Sequence, residues 1–162
     1  EIVPPRADET NIKPMIGGFM LQAPDAEIES SFAKWEVVTK EKPTEAQFAL
    51  AKTGWKFISR IKSNAVIVMD KEIPMTRGIG TGQTSRVRAV KIALEQAGER
   101  AHGAILISDS FFPFDDSVRL AAKSGIAVII EQGESVNDKA SIAAADQGGI
   151  AMVFTHTRAF WH

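Results

Sequence analysis

The chain has 162 residues, 44% of them apolar, and its 19 lysines and arginines nearly balance 20 aspartates and glutamates. This length supports one domain with a sizeable core and hardly two. The absence of cysteine excludes disulfide frameworks, thiolate nucleophiles and cysteine-ligated zinc. The longest apolar runs, Ala65–Met69 and Ile126–Ile130, are about a quarter of the roughly 20 residues that a membrane span needs. We therefore expect a cytoplasmic protein, and a first residue other than Met leads us to expect an excerpt of a longer one.

The first part of the chain predicts little regular structure. Residues 1–15 contain three prolines and mixed charges, which predicts an irregular lead-in to a single α/β domain over residues 16–162. Ile16–Gln22 is a short strand candidate, and the acidic stretch Pro24–Lys42 is typical of a loop. Thr44 and Gln47 then have the spacing of a capping box, which predicts the start of a helix.

Helical and extended patterns alternate from this point on. The apolar residues of the first helix recur at helical spacing: Phe48, Ala51, Trp55 and Ile58. Further helices are predicted at Ser85–Ala97, Asp116–Lys123 and Asn137–Gln147, and strands at Ala65–Met69, Pro74–Gly80, Gly103–Ser108, Ile126–Ile130 and Ile150–Phe154. Short apolar strands joined by helices predict a three-layer α/β/α sandwich with a mostly parallel sheet, to which the first two strands add an antiparallel edge.

Positive charge is concentrated in the middle of the chain. Residues 52–91 contain nine basic and two acidic side chains, which suits a phosphorylated or carboxylated small ligand. The alternative is a solvated helix face, because Lys52, Lys56 and Arg60 follow each other at intervals of four residues. Nucleic acid is a weaker interpretation, since no aromatic residues interleave with a long basic stripe.

A glycine-rich turn leads into the second long helix at Gly78–Ser85. Glycines let a backbone approach a ligand closely, and the free N–H groups of a helix N-terminus favour anions. The third glycine is misplaced for a dinucleotide fingerprint, and no Gly-Lys-Ser/Thr follows as in a P-loop. The turn is therefore either a binding element or a purely structural connection.

Three further segments follow or precede predicted strands, where ligands of open α/β sheets bind. Ser108–Asp116 carries three phenylalanines around a proline, which either wall a slot for a flat ring or fold over the core. Lys62–Asn64 either forms a turn or orients a substrate amide. Arg158, just past the last strand, has the chemistry of a phosphate ligand. His102 is expected to be solvated, and no complete catalytic or metal-ligand motif is present.

Five motifs in register resemble one family over about residues 16–162. They are KSNAVIV at Lys62–Val68, GIGTGQTSRV at Gly78–Val87, SDSFFPFDD at Ser108–Asp116, IAAADQGGIAMVFTHTR at Ile142–Arg158, and the final FWH. Together they resemble the carboxyl-terminal part of the transformylase domain in the bifunctional AICAR transformylase/IMP cyclohydrolase family. The resemblance implies transfer of a formyl group from 10-formyltetrahydrofolate to the 5-amino group of AICAR, giving FAICAR. It also implies a cytidine-deaminase-like α/β/α fold and a homodimer.

The resemblance also implies roles for individual residues. The nucleotide AICAR would be bound by Asn64 and Arg86 near its carboxamide, by Phe111 against its base and by Arg158 at its phosphate. The folate would be bordered by Val87, Pro113 and Phe114, with Asp116 accepting its hydrogen bonds. Asp109 and His162 would lie near a bound monovalent cation, potassium in this reading. Zinc is not expected, because the cysteines of the zinc deaminases are absent.

Two departures from the family's pattern limit this implied function. The family commonly has Arg-Asp-Asn after FFPF, whereas this chain has Asp115, Asp116 and Ser117. The family's Lys-His pair, which assists proton transfer, lies upstream, and this chain contains no Lys-His dipeptide. We therefore expect weak or no activity without the missing amino-terminal half. The alternatives are a non-catalytic nucleotide- or folate-binding module and a structural interaction domain.

Overall fold

The computed structural model describes residues 10–22 and 28–161 of the chain. Within these ranges the protein is an α/β domain with a six-stranded sheet and a separate two-stranded hairpin. The strands are β1 Asn11–Met15, β2 Gly18–Gln22, β3 Glu36–Val37, β4 Val66–Met69, β5 Thr76–Gly80, β6 Ile105–Ser108, β7 Val128–Glu131 and β8 Ala151–Phe154. The helices are α1 Ile28–Ser31, α2 Glu45–Ile58, α3 Arg86–Ala97, α4 Asp116–Lys123 and α5 Asp138–Gln147, with short 3₁₀ turns at Phe32–Lys34 and Gly98–Ala101.

The irregular lead-in expected over residues 1–15 is wrong for β1. This strand pairs antiparallel with β2, with Asn11 opposite Gln22 and Met15 opposite Gly18. Its proline, Pro14, is compatible with a strand because every strand of a two-stranded ribbon is an edge strand. Residues 1–9 lie outside the described part. The loop expected over Pro24–Lys42 is also wrong in part, because its described residues include α1 and β3.

The capping box at the start of α2 is confirmed. The hydroxyl of Thr44 accepts the N–H of Gln47 at 3.2 Å, and the Gln47 side chain accepts the N–H of Thr44 at 2.9 Å. The helix buries Ala51, Trp55 and Ile58 against one face of the sheet, as their spacing predicts.

Helices cover both faces of the sheet, because each central strand is buried on both sides. In β4, Val66 and Val68 belong to the core beneath α3, α4 and α5, whereas Ile67 and Met69 belong to the core beneath α2. The layered α/β arrangement predicted from the apolar runs is therefore present in the described residues.

The mostly parallel sheet is the expectation that the structure corrects. The strand order is β3-β8-β7-β6-β4-β5, in which β6, β7 and β8 are parallel while β3, β4 and β5 pair antiparallel with their neighbours. The sheet is mixed because β3 and β4 run opposite to the other four strands, and a tight turn at Asp70 joins β4 to β5 as an antiparallel pair. Asp70 accepts the N–H of Glu72 at 2.8 Å and the Nε–H of Arg77 at 2.6 Å, and these bonds hold the pKa of its carboxyl below the usual range.

One edge of this mixed sheet gathers the candidate functional segments. The first residue of β4, Val66, lies opposite both Gly80 at the end of β5 and Ser108 at the end of β6. Since β6, β7 and β8 run parallel, Glu131 and Phe154 end their strands at the same edge. The antiparallel β4 thus brings the segment before it to the carboxyl ends of β5, β6, β7 and β8.

Candidate active site

A cavity of about 620 Å³, here called the site cavity, opens at this edge of the sheet. It lies between the segment Lys62–Asn64, the glycine-rich turn Gly78–Ser85, the aromatic loop Ser108–Asp116 and the tail Thr155–Trp161. All residues predicted to bind nucleotide or folate line it: Asn64, Arg86, Val87, Phe111, Pro113, Phe114, Asp116 and Arg158. The volume is typical of a small-molecule site.

A buried ion pair ties the walls of the site cavity together. The Nη1 group of Arg86, at the start of α3, donates to a carboxylate oxygen of Asp109 and lies 3.3 Å from the carbonyl oxygen of Ala65. Its Nη2 donates to Oδ1 of Asn64 at 3.0 Å. The side chain of Arg86 is 8% exposed and that of Asp109 is fully buried. Asp109 therefore neutralises the charge of Arg86. Arg86 in turn fixes the orientation of the Asn64 carboxamide by donating to its oxygen.

The segment before β4 is held against the glycine-rich turn. Asn64 donates its side-chain N–H to the carbonyl oxygen of Gln83 at 2.8 Å, and its backbone pairs with that of Gln83 at 3.3 Å in both directions. Asn64 thus has both ends of its carboxamide placed by protein contacts. One of its two amide hydrogens has no partner among the described residues and is available to a ligand.

The glycines of this turn serve packing as well as the turn itself. A Cβ on Gly80 would lie 2.0 Å from the carbonyl oxygen of Ala89, and one on Gly78 would lie 1.9 Å from that of Ala93. These glycines let β5 approach the backbone of α3. Only Gly82, with φ near 63°, has the left-handed conformation that a turn requires. The turn therefore seats the helix, and its last residues line the site cavity, while its role in ligand binding stays a prediction.

The aromatic loop divides its phenylalanines between core and cavity. Phe112 is fully buried in the core beneath α3 and α4, while Phe111 is 36% and Phe114 is 63% exposed. The loop is fastened by Asn137, which donates to the carbonyl oxygen of Pro113 at 2.7 Å. Folding over the core and presenting an aromatic wall are therefore both functions of this loop.

Asp116 presents a carboxylate oxygen at the first turn of α4. Its Oδ1 accepts the N–H of Ser117 at 2.7 Å, whereas its Oδ2 has no partner among the described residues. The residue before it, Asp115, occupies the N-cap position without a side-chain capping bond and pairs instead with Arg119 at 2.7 Å. The oxygen of Asp116 that the helix leaves free is available to a ligand donor.

The tail Thr155–Trp161 contributes the positively charged side chain of Arg158 to the lining of the site cavity. Arg158 is exposed, lies with its guanidinium 5.1 Å from the ring centre of Phe160, and forms no ion pair with any described residue. The backbone on its carboxyl side is fixed, because the N–H of Ala159 donates to the carbonyl oxygen of Asp109 at 2.8 Å and that of Trp161 donates to Ser63 at 3.2 Å. Unlike Arg86, Arg158 has its charge available for an anion.

Glu131 is a site-adjacent residue that the sequence patterns missed. It ends β7, is fully buried, and accepts the N–H of Phe112 at 2.5 Å through Oε2, while Oε1 has no partner among the described residues. Burial raises the pKa of Glu131 to about 8, which outweighs the lowering effect of the hydrogen bond from Phe112. The carboxyl group that supports the aromatic loop is therefore protonated at neutral pH.

One residue that lines the site cavity, Gln132, was also not singled out from the sequence. Gln132, next to Glu131, lines the cavity and accepts the hydroxyl of Ser110 at 2.8 Å through its side-chain oxygen. This polar pair follows the apolar run Ile126–Ile130, and the rule that singled out Ser108–Asp116 applies equally to it. The signal was therefore present in the sequence.

The expected monovalent-cation site near Asp109 and His162 stays a prediction. Both carboxylate oxygens of Asp109 are engaged, one by Arg86 and the other by the N–H of Ala65 at 3.0 Å. His162 lies outside the described residues. Within the described ranges no group of three or more His, Cys, Asp or Glu side chains is arranged to hold a metal ion. His102 is exposed, as expected.

Comparison with known proteins assigns the family. The profile described as "AICARFT/IMPCHase bienzyme" matches residues 2–96, more than half of the chain. The chain belongs to this family. The AICARFT/IMPCHase relatives include the bifunctional purine biosynthesis protein PurH of Cyanothece sp. (strain PCC 7425 / ATCC 29141), 52% identical over 152 residues, and that of Synechococcus elongatus, 50% identical over 154 residues. These alignments cover 93% and 95% of this chain and 29% of each relative.

The chain thus spans about 29% of the length of the curated family members that it matches. A solved structure, Acinetobacter baumannii RibD, form 1, superposes with a TM-score of 0.42 and 21% identity, over 64% of this chain and 31% of that one. The similarity is too low to assign the cytidine-deaminase-like fold. No described helix has the length and apolar character to cross a bilayer.

Proposed function

We propose that this chain forms the nucleotide- and folate-binding wall of an AICAR formyltransferase site. The observation that carries the proposal is the site cavity itself. The eight residues for which the sequence resemblance implies ligand contacts come from four separate segments, and all eight line one cavity of about 620 Å³. The family membership and the name of its PurH relatives support a role in purine biosynthesis.

The nucleotide half of the cavity has the groups that AICAR needs. Arg158 supplies a cation that forms no ion pair with any described residue, which suits the phosphate. Asn64 and Arg86 together form an amide-recognition pair, in which Arg86 fixes the Asn64 oxygen and leaves an Asn64 N–H for the carboxamide of the base. Phe111 offers a flat apolar surface to the base.

The folate half adjoins it along the aromatic loop. Val87, Pro113 and Phe114 are apolar walls of the cavity, and the unpaired Oδ2 of Asp116 is an acceptor for the amino and ring N–H groups of a pterin. Asp116 matches the family's residue at this position, so the departures at Asp115 and Ser117 leave the proposed folate acceptor unchanged. Asp115 instead pairs with Arg119.

The nucleophile of this reaction is the 5-amino group of AICAR and not a protein side chain. The main task of the protein is therefore to orient the two substrates. The 5-amino group of AICAR is a poor nucleophile because its electron density is drawn into the ring and the carboxamide, so the site must align it with the formyl carbon. The new bond joins that amine to the formyl carbon, the bond from this carbon to N10 of the folate breaks, the amine loses a proton and N10 gains one. This chain supplies the alignment, and the proton transfer needs the Lys-His pair of the family.

We therefore propose that turnover requires a partner, either a homodimer or the amino-terminal half that the longer relatives carry. The test is calorimetric titration of the chain with AICAR and, separately, with 10-formyltetrahydrofolate. We expect both to bind, with no FAICAR formed until a protein bearing the upstream half is added. Absence of heat with both ligands would overturn the proposal. Binding without turnover in the reconstituted mixture would identify a non-catalytic binding module.

A further inference from the structure

Glu131 is a buried acidic residue that contacts the aromatic loop without lining the site cavity. Its Oε2 accepts the N–H of Phe112, whereas its Oε1 has no partner among the described residues. A buried carboxyl group with an unused oxygen lowers the stability of the folded chain. Its one hydrogen bond goes to the residue that follows Phe111, the proposed wall for the nucleotide base.

The two peptide groups that flank Phe111 are both held by hydrogen bonds. On the amino side, the carbonyl oxygen of Ser110 accepts the hydroxyl of Ser108 at 2.7 Å. On the carboxyl side, the N–H of Phe112 donates to Glu131 at 2.5 Å. The first contact is local in the chain, whereas the second comes from another strand, β7. Glu131 therefore fixes the backbone of Phe111 relative to the sheet.

The next residue of the chain adds a second contact of the same kind. Gln132 accepts the hydroxyl of Ser110 at 2.8 Å, so consecutive residues bind the neighbours of Phe111 on both sides. The ring of Phe111 lines the site cavity and is 36% exposed. Because packing covers this ring only in part, the contacts of its backbone neighbours determine where it faces the cavity.

We propose that Glu131 is a positioning residue, which by accepting the N–H of Phe112 holds the Phe111 ring where the base of AICAR stacks. The proposal rests on the proposed function, because Phe111 is the wall assigned there to the base. Glu131 acts through Phe111 and touches no ligand. In the closed loop it is uncharged and buried, and its ionisation favours an open loop in which the carboxylate reaches water.

The charged groups that act on Glu131 lie on α3 and α5. Burial is the largest cause and raises the pKa of Glu131 to about 8, while Asp138 raises this pKa further and Arg86 lowers it. Arg86 is already paired with Asp109, and His156 of the tail pairs with two other carboxylates. The proton of Glu131 is therefore retained because the loop covers it.

This retention links closure of the loop to pH. The pKa of Glu131 is about 8 in the closed loop and returns toward the ordinary 4.5 when the loop opens. The proton therefore favours the closed loop, and this contribution is lost as the pH rises from about 4.5 to about 8. A single proton changes the ratio of open to closed loop by at most about tenfold per pH unit.

The first experiment measures amide hydrogen exchange of the aromatic loop in the ligand-free chain between about pH 5 and pH 9, relative to an unstructured peptide at each pH. We expect protection of the wild-type loop to fall as the pH rises and to level off above about pH 8. Glu131→Gln keeps an acceptor for the N–H of Phe112 and cannot ionise, so its protection should stay constant. Glu134→Gln, the same change at a nearby exposed position, is the matched control and should follow the wild type.

Strand β6 is the internal reference of this measurement. The loop should exchange faster than β6 at every pH, because it opens without unfolding of the chain. Equal protection of the two segments would show that Glu131 affects global stability alone, and would overturn the proposal. A loop whose protection responds to pH equally in wild type and Glu131→Gln would overturn it as well.

The second experiment measures the dissociation constant of AICAR by calorimetry. Glu131→Met removes the acceptor and should weaken binding about tenfold, since it leaves the N–H of Phe112 buried and unpaired. Glu131→Gln, which restores an acceptor, should bind within about twofold of wild type at neutral pH. In a Phe111→Ala background, Glu131→Met should weaken binding no further, because Glu131 acts through that ring.

The remaining outcomes separate this proposal from the proposed function. Unchanged AICAR affinity in Glu131→Met, or a further loss when it is added to Phe111→Ala, overturns the positioning role and leaves the proposed function intact. If Glu131→Met does not fold, the exchange of wild type against Glu131→Gln decides the matter. A wild-type chain that does not bind AICAR overturns the proposed function and the nucleotide role of Glu131 with it.

Discussion

Arg86 and Asp109 form a buried ion pair that joins the start of α3 to the loop after β6. The pair connects two walls of the site cavity, and Arg86 extends the connection to Asn64 at 3.0 Å. Removing the partner of a buried charge destabilises the folded protein, because no other group replaces the water that solvates this charge in the unfolded chain.

Asp109→Asn should therefore destabilise the protein by about 3–5 kcal/mol, the usual cost of leaving one member of a buried pair charged and unpaired. Urea unfolding followed by circular dichroism measures the change. Asp115→Asn is the matched control, since it breaks the exposed pair with Arg119 and should cost no more than about 1 kcal/mol. Equal losses in the two variants would contradict the assigned importance of the buried pair.

Glu131→Gln should change how stability depends on pH. With a pKa raised to about 8 from an ordinary 4.5, folded Glu131 keeps a proton that the unfolded chain releases. Its contribution is therefore intact below about pH 4.5 and is lost progressively as the pH rises toward 8. Glutamine cannot ionise, so the variant should lose less stability than wild type across this window.

Thermal unfolding between about pH 5 and pH 8.5 checks this expectation for Glu131, since the window spans the raised pKa. Glu95→Gln, at an exposed position of α3, is the control and should follow the wild-type curve. Parallel curves for wild type and Glu131→Gln would show that Glu131 has an ordinary pKa.

Arg158→Ala should weaken AICAR binding by about 1.5–3 kcal/mol, the value of a hydrogen bond to a charged group. The nucleoside without its phosphate should bind wild type and variant equally, because the lost contact is to the phosphate. Titration calorimetry gives both numbers. Arg60→Ala is a matched control, since Arg60 is likewise exposed, lies 5.8 Å from the centre of an aromatic ring and does not line the site cavity.

Phe112→Ala and Phe114→Ala should separate the two functions of the aromatic loop. Phe112 is fully buried, so its truncation should cost about 3–5 kcal/mol of stability. Phe114 is 63% exposed in the cavity wall, so its truncation should leave the unfolding midpoint nearly unchanged and weaken folate binding. A loss of folate affinity confined to Phe112→Ala would reverse the assignment.

The fold was largely predictable, because its signals are local. The capping box of Thr44 and Gln47 and the apolar stripe of α2 depend only on spacing along the chain. The direction of each strand was less predictable, because a run such as Val66–Met69 is buried on both faces whichever way the strand runs. The antiparallel pairing of β4 with β5 was predicted, whereas the antiparallel pairing of β4 with β6 depends on the path of the chain between distant segments.

The site was predictable as a set of segments and less so as a set of contacts. The motifs around Asn64 and Arg158 carried the family resemblance, and the sheet edge brings them to one cavity. That Arg86 is neutralised by Asp109 could not be read from the sequence, because the two residues are distant along the chain. Glu131 directly follows the apolar run Ile126–Ile130, so its place at the end of a strand could be read from the sequence, whereas its hydrogen bond with Phe112 could not.

All segments that line the site cavity lie at one edge of the sheet. A reporter group can therefore be attached at the opposite edge without altering these segments. The exposed turn 71–75 lies at the far end of β4 and β5, about 13 Å of strand away from the site cavity. A cysteine introduced there would be the chain's only thiol, since the sequence contains none. A fluorophore attached to it would report on the proposed folate and nucleotide binding at a distance, without touching the residues that line the site cavity.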